Sequence, residues 1–233
     1  MVAKTFLLFD IDGTLLYSNA IDSRCFASSY EAEFGRQFPT IDWSKFPHVT
    51  DHVIFRTAFH QHFDRYPLEE ERLSFQERYL SALHEGRRTQ PQEFKEVPGS
   101  AAIWQQLSQD DRFVLGLATG GWRAPAQIKL AHVGIDPVPD YAAYADGMES
   151  RDDILQTAIN LASSAYQIQR TVYIGDALWD VTTTRRMRLP MIGVSHDASK
   201  HKLTGAGLET IIRDYSEPEV FLSAVEQASV PQG

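Results

Sequence analysis

Three short apolar runs, Thr5 to Phe9, Phe113 to Ala118 and Thr171 to Ile174, each stop at a polar or glycine-rich cluster. Those clusters read Asp10-Ile11-Asp12-Gly13, Thr119-Gly120-Gly121 and Gly175-Asp176. Continuous rather than alternating apolar character predicts strands buried on both faces, as in a parallel sheet covered by helices. A fourth run, Pro190 to Val194, has the same character. Helical periodicity lies between the runs, at Ala101 to Leu107, Ala124 to His132 and Arg151 to Ser163. This alternation predicts an α/β fold built on a doubly wound, Rossmann-like parallel sheet, in which ligands bind beyond the carboxyl ends of the strands. The polar clusters all fall at those ends, so residues distant in sequence can meet in one crevice.

The gap between the first two runs breaks the rhythm. A crossover needs only about 30 residues, and Pro98-Gly99 with the helix from Ala101 already supplies one. The preceding stretch carries helix-like patterns at Ala20 to Phe34, Asp51 to Phe63 and Leu68 to Glu85, with no clear strand. We therefore expect a core from residues 1–16 and 97–233 and a helical cap, residues 17–96, inserted after the first strand and able to close over the crevice.

Composition narrows the setting. A chain of 233 residues with 43% hydrophobic and 23% charged content is an ordinary globular one. Its net charge of −9 argues against nucleic acid as the main partner. The group Arg185, Arg186 and Arg188 offers a local basic patch, but a solvated helix end explains it at least as well. Cys25 is the only cysteine, so no intrachain disulfide or thiolate metal cage can form. No run approaches the roughly 20 apolar residues that span a bilayer, and Phe6 to Phe9 is too short for a signal core. The expected location is cytoplasmic, with no membrane partner; oligomeric state is left open.

The chemistry sits in the clusters. Asp10 and Asp12, two apart in an extended chain, share a face. Two carboxylates so placed can divide labour, one as nucleophile and one as acid and base; a strand running into an ordinary Asp-rich turn is the structural alternative. Thr119 and the backbone at Gly120 can face an anion. Asp176 and Asp180 place two acids on a turn suited to a hard cation. Mg²⁺ needs only one or two carboxylates, so Asp10 and Asp176 suffice, with Asp180 in an outer shell. Arg151, opening a helix ahead of the third run, is the best-placed compensating cation. Lys129, within Ile128-Lys129-Leu130, reads as a solvated face and is the weaker alternative.

Together these elements resemble the haloacid dehalogenase superfamily in its phosphatase branch. The first motif stands as Asp10-Ile11-Asp12-Gly13-Thr14-Leu15, the second as Thr119, the third as Arg151 and the fourth as Gly175-Asp176 through Asp180. The resemblance implies that fold, an aspartyl-phosphate intermediate on Asp10, Mg²⁺ held by Asp10, Asp176 and the Asp12 main chain, and a small phosphorylated metabolite as substrate. Arg151 departs from the lysine usual at that position, keeping the charge but changing donor geometry. Asp12 favours phosphoester cleavage over dehalogenation, since an alcohol leaving group needs a proton. In the expected cap, His48-Val49-Thr50-Asp51 resembles the glycine-lysine-threonine-aspartate turn of phosphoglycolate-phosphatase-like caps, which makes Thr50 a candidate substrate contact, although Thr50 can equally cap the helix after it. A phosphotransferase or mutase of the same superfamily, or a non-catalytic phosphate-binding module, are the alternatives.

Overall fold

In a computed structural model that describes residues 3–135, 139–195 and 197–233, the strands are β1 (Lys4–Phe9), β2 (Leu16–Tyr17), β3 (Lys95–Glu96), β4 (Phe113–Ala118), β5 (Ala142–Ala143), β6 (Ile168–Gly175), β7 (Met191–Val194) and β8 (Ile211–Ile212). The helices are α1 (Asn19–Phe34), α2 (Asp51–Phe63), α3 (Glu69–Thr89), α4 (Ser100–Ser108), α5 (Arg123–His132), α6 (Arg151–Ala165), α7 (Leu178–Met187), α8 (Asp197–Gly205) and α9 (Pro218–Gln227). Each apolar run has become a strand. Six strands form one sheet in the order β5-β4-β1-β6-β7-β8, and every pairing in it is parallel. Phe6 to Phe9 of β1 are fully buried, because β1 is central: Leu7 lies opposite Leu115 on one side and Val172 on the other. The Phe9 ring packs on Trp104 of α4 and Phe221 of α9.

From β1 the chain runs to β4 and β5 on one side, then returns to β6, β7 and β8 on the other. The order thus reverses around β1, which is where a doubly wound sheet opens a crevice at its carboxyl edge. The turns after β1, β4 and β6 all face that edge.

Helices α1, α2 and α3 lie between β2 and β3. These two short strands pair antiparallel, Leu16 with Glu96 and Tyr17 with Lys95, so the chain leaves and re-enters the sheet side by side. Two-residue strands carry no readable alternation, which is why the sequence pattern shows none there. The helices close around an aromatic core in which Phe26, Phe55, Phe75 and Tyr79 surround Trp122, a residue of the loop after β4. Trp122 is buried, and its backbone N–H donates to Asp51 Oδ2 at 2.9 Å. Asp51 N–H donates in turn to the Gly120 carbonyl at 2.7 Å. The β4 loop is thereby fastened to the start of α2. Among the described residues no helix is long and apolar enough to cross a membrane.

Candidate active site

The strand β1 delivers Asp10 to the crevice, its N–H still in the ladder with the Ile174 carbonyl. The chain then folds into a tight turn in which the Ile11 carbonyl accepts from Leu15 N–H at 2.8 Å. Gly13 makes this turn possible. Its φ is 83°, and a Cβ there would lie 2.1 Å from Asp176 Oδ2, so the position excludes side chains on both conformational and steric grounds. Asp10 and Asp12 consequently line one cavity of about 70 Å³, together with Thr119, Gly120, Lys129 and Arg151.

Arg151 opens α6 and is buried. One nitrogen, Nη2, shares its two hydrogens among Asp10 Oδ2 at 3.1 Å, Asp180 Oδ1 at 2.8 Å and the Tyr173 hydroxyl at 3.0 Å. Asp180 also accepts from the Tyr173 hydroxyl and, through Oδ2, from Ala177 N–H at 3.1 Å. Both its oxygens are therefore occupied. Tyr173 was not singled out in the sequence; its only signal there is a phenol inside an otherwise apolar buried run. Thr119 is buried at the end of β4, and its Oγ1 accepts from Gly121 N–H at 3.1 Å. At Gly120 a Cβ would fall 2.4 Å from the Val49 carbonyl and 2.8 Å from Arg151 Nη1, so the backbone approach needs glycine.

The electrostatics are those of an acid cluster short of cations. Burial pushes Asp10 up to about 7, with Arg151 pulling it back and Asp180 pushing further up. Burial, with Asp180 and Asp10 adding to it, holds Asp176 well above the ordinary carboxylate range. Asp10, Asp176 and Asp180 can bring one carboxylate oxygen each within 4.8 Å of one another. Since Asp180 is committed to Arg151, Tyr173 and Ala177, Asp10 and Asp176 are the pair with oxygen left for a hard cation. Such a donor set fits Mg²⁺, which takes one or two carboxylates and keeps waters.

One expectation is overturned. Lys129 does not lie on a solvated face: it is 1% exposed, and its ammonium donates to Asp12 Oδ2 at 2.5 Å and Asp22 Oδ1 at 3.3 Å. The physical reason is the helix stripe. Ala126, Lys129 and Leu130 of α5, with Val133 at its C-terminal cap, stand three and four apart on the buried side, and the carboxylates of Asp12 and Asp22 make burial of the charge tolerable. Burial by itself pulls the lysine down, but Asp12, Asp22 and Asp51 outweigh it and the net shift is upward. Lys129 is a fixed cation.

Asp22 of α1 and Asp51 of α2 also line the cavity, and sequence reasoning passed over both. Thr50 accepts from Val53 N–H as the cap of α2 and donates to the Glu149 carbonyl at 3.1 Å; its neighbour Asp51 faces the cavity instead. Arg24 pairs with Glu93 at the surface.

A doubly wound sheet whose strand ends gather an aspartate pair, a buried arginine and a second acidic turn defines a class of hydrolytic core. The chain belongs to the haloacid dehalogenase-like hydrolases, whose family profile matches residues 7–194. Among curated proteins none is significantly similar in sequence. Solved structures similar to it include a hydrolase from Pseudomonas syringae, 18% identical with a TM-score of 0.68 over 96% of this chain and 99% of that one. A "predicted phosphatase" from Clostridium acetobutylicum is 23% identical, with a TM-score of 0.61 over 97% and 100% of the two chains. CbbY from Rhodobacter sphaeroides, solved in complex with phosphate, is 17% identical, with a TM-score of 0.61 over 91% and 95%.

Proposed function

We propose that the protein is a Mg²⁺-dependent phosphomonoester hydrolase acting on a small phosphorylated metabolite through an aspartyl-phosphate on Asp10. The observation that carries this reading is the pairing of Asp10 with buried Arg151 in the cavity that Asp12 also lines. An Asp10 oxygen forms the new bond to phosphorus as the ester P–O bond breaks, and Asp12 gives its proton to the departing alcohol oxygen. Asp12 then takes a proton from the water that attacks the aspartyl-phosphate, which releases inorganic phosphate and restores Asp10. Arg151, the Thr119 hydroxyl and the backbone at Gly120 orient the phosphoryl oxygens and offset their charge. When bound, Mg²⁺ supplies further charge neutralisation, with Asp10, Asp176 and the Asp12 carbonyl as its protein ligands and Asp180 behind them.

In the same reading residues 1–16 and 97–233 form the catalytic core, and residues 17–96 form a cap that keeps bulk water from the phosphoryl group. Thr50 serves the site by fixing α2, which presents Asp51 to the cavity. A reducing, cytoplasmic setting suits the lone Cys25, and the acidic chain suits a small-molecule substrate rather than nucleic acid.

The test is Asp10→Asn assayed on p-nitrophenyl phosphate with Mg²⁺ and with a chelator. Wild-type turnover should require the metal, and the variant should lose it almost completely. Undiminished turnover by Asp10→Asn would remove the nucleophile assignment.

A further inference from the structure

Lys129 occupies a buried position in a helix where its sequence neighbours are apolar. Its neighbours Ile128 and Leu130 are buried with it, and burying an ammonium costs several kcal/mol unless partners are well placed. The partners here are chosen from different parts of the chain. Asp12 belongs to the turn after β1, Lys129 to α5 behind β4, and Asp22 to α1. Asp22 accepts also from the Tyr79 hydroxyl of α3 at 2.6 Å. A polar chain Asp12–Lys129–Asp22–Tyr79 thus runs from the aspartate pair into two of the three helices above the crevice.

The second oxygen of Asp12 is held from the other side, where the Ser18 hydroxyl, just ahead of α1, donates to Oδ1 at 2.5 Å. One oxygen of the Asp12 carboxylate is therefore set by the residue that caps α1, and the other by a lysine of α5 that also pairs with Asp22 of α1. Asp12 has no such double restraint from the sheet. A packing role for Lys129 would not need this arrangement, because methionine or leucine would fill the same space.

We propose that Lys129 is a positioning residue that fixes the Asp12 carboxylate for proton transfer to the leaving oxygen and links that geometry to the seating of α1. This rests on the phosphatase reading above, and it adds a residue that the sequence motifs do not contain. Lys129 acts through the Asp12 carboxylate and makes no hydrogen bond to Asp10 or Asp176. Its effect must therefore follow the leaving group. An alkoxide needs the proton from Asp12 as the P–O bond breaks, whereas p-nitrophenolate departs readily without it.

The experiment compares kcat/KM on an alkyl phosphomonoester, glycerol 3-phosphate, with kcat/KM on p-nitrophenyl phosphate, both with Mg²⁺, because kcat/KM reports the steps through loss of the leaving group and not the later hydrolysis of the aspartyl-phosphate, which both substrates share. In Lys129→Met the alkyl-to-aryl ratio should fall about 100-fold, within the range that general acid–base catalysis contributes. Asp22→Asn leaves the Lys129–Asp12 pair in place while loosening its tie to α1, and should lower the same ratio by a smaller factor, about fivefold. It also guards against a Lys129→Met chain that fails to fold. A ratio unchanged from wild type in the folded variant overturns the proposal, whatever the absolute loss, because a merely structural lysine would depress both substrates alike. Absence of wild-type turnover on the aryl ester would overturn the phosphatase reading itself, which separates the two failures.

Discussion

Replacing Arg151 with methionine perturbs the best-defined electrostatic contact of the site. The guanidinium nitrogen that reaches Asp10, Asp180 and Tyr173 at 2.8–3.1 Å is lost, while the stem volume is nearly kept. Removing one partner of a buried pair costs about 3–5 kcal/mol. The lower end applies, because Asp180 retains the Tyr173 hydroxyl and Ala177 N–H. At about 2.1 cal/mol/K per residue, unfolding a chain of 233 residues carries roughly 0.5 kcal/mol/K, so a loss of about 3 kcal/mol lowers Tm by about 6 °C. Thermal unfolding by circular dichroism measures this directly. Added Mg²⁺ should narrow the gap, since a divalent cation between Asp10 and Asp176 compensates part of the missing charge. Arg151→Met/Asp180→Asn should recover much of the loss, because the carboxylate stranded by the first substitution is gone, and the double-mutant cycle then gives the coupling. On activity, the proposed role of Arg151 in offsetting phosphoryl charge predicts kcat reduced roughly 10²–10³-fold, with Arg151→Lys intermediate because the charge stays but the planar fork does not. Arg151→Met with Tm within about 1 °C of wild type and kcat within about threefold would refute the reasoning for both roles.

Two further outcomes follow from the acidic residues above the crevice. Burial pushes the Asp51 carboxyl up to about 8, whereas an unfolded aspartate titrates near 3.9. Between these values the folded chain keeps a proton that the unfolded chain releases, so this stabilising contribution is complete below about pH 4 and is lost as pH rises through about 8. Asp51→Asn should match wild type near pH 4 and exceed it at pH 8.5 in urea midpoint; the opposite order would refute the assignment. The second outcome concerns substrate charge. Lys129 is taken up by Asp12 and Asp22, and Arg151 by Asp10 and Asp180, so the acids lining the cavity are not matched by an uncommitted cation among the described lining residues. An uncharged leaving group should be preferred to an anionic one by at least about tenfold in kcat/KM, a difference of about 1.4 kcal/mol. The preference of glycerol 3-phosphate over phosphoglycolate should widen from pH 7 to 9 as Asp51 ionises; a preference for the anionic ester would contradict it.

How far this was legible in the sequence depends on whether a feature is written locally. Burial on both faces leaves a local mark, so Phe113 to Ala118 is both the apolar run and strand β4, and Thr171 to Ile174 is the inner half of the longer β6. Helical patterning likewise marks α1 and α2 to within a residue and α3 to within four residues at its end. Once the sheet is parallel, its carboxyl edge gathers Asp10, Thr119 and Asp176 by topology alone, and Arg151 and Asp180 follow as the first turns of the flanking helices. The two-residue strands β2, β3, β5 and β8 leave no such mark, since alternation needs more than one repeat.

Partnership is not written locally at all. Lys129 and Asp12 are 117 positions apart, and a lysine between two apolar residues looks like a solvated face until its acceptors are known. The stripe Ala126, Lys129, Leu130, Val133 was nevertheless present, and it places the lysine inward by the same three-and-four spacing that marks the other helices. What overruled it was the general expectation that lysines are exposed. That expectation fails where a helix faces a carboxylate cluster, and the motifs at Asp10, Asp12 and Asp176 already announced such a cluster. A cation inside an apolar stripe, in a chain whose motifs gather several acids at one edge, is therefore better read as a partner for those acids than as surface. The same argument applies to Tyr173, a single phenol within an apolar buried run. It carries a hydroxyl to the Arg151–Asp180 pair because a buried strand has no other use for one.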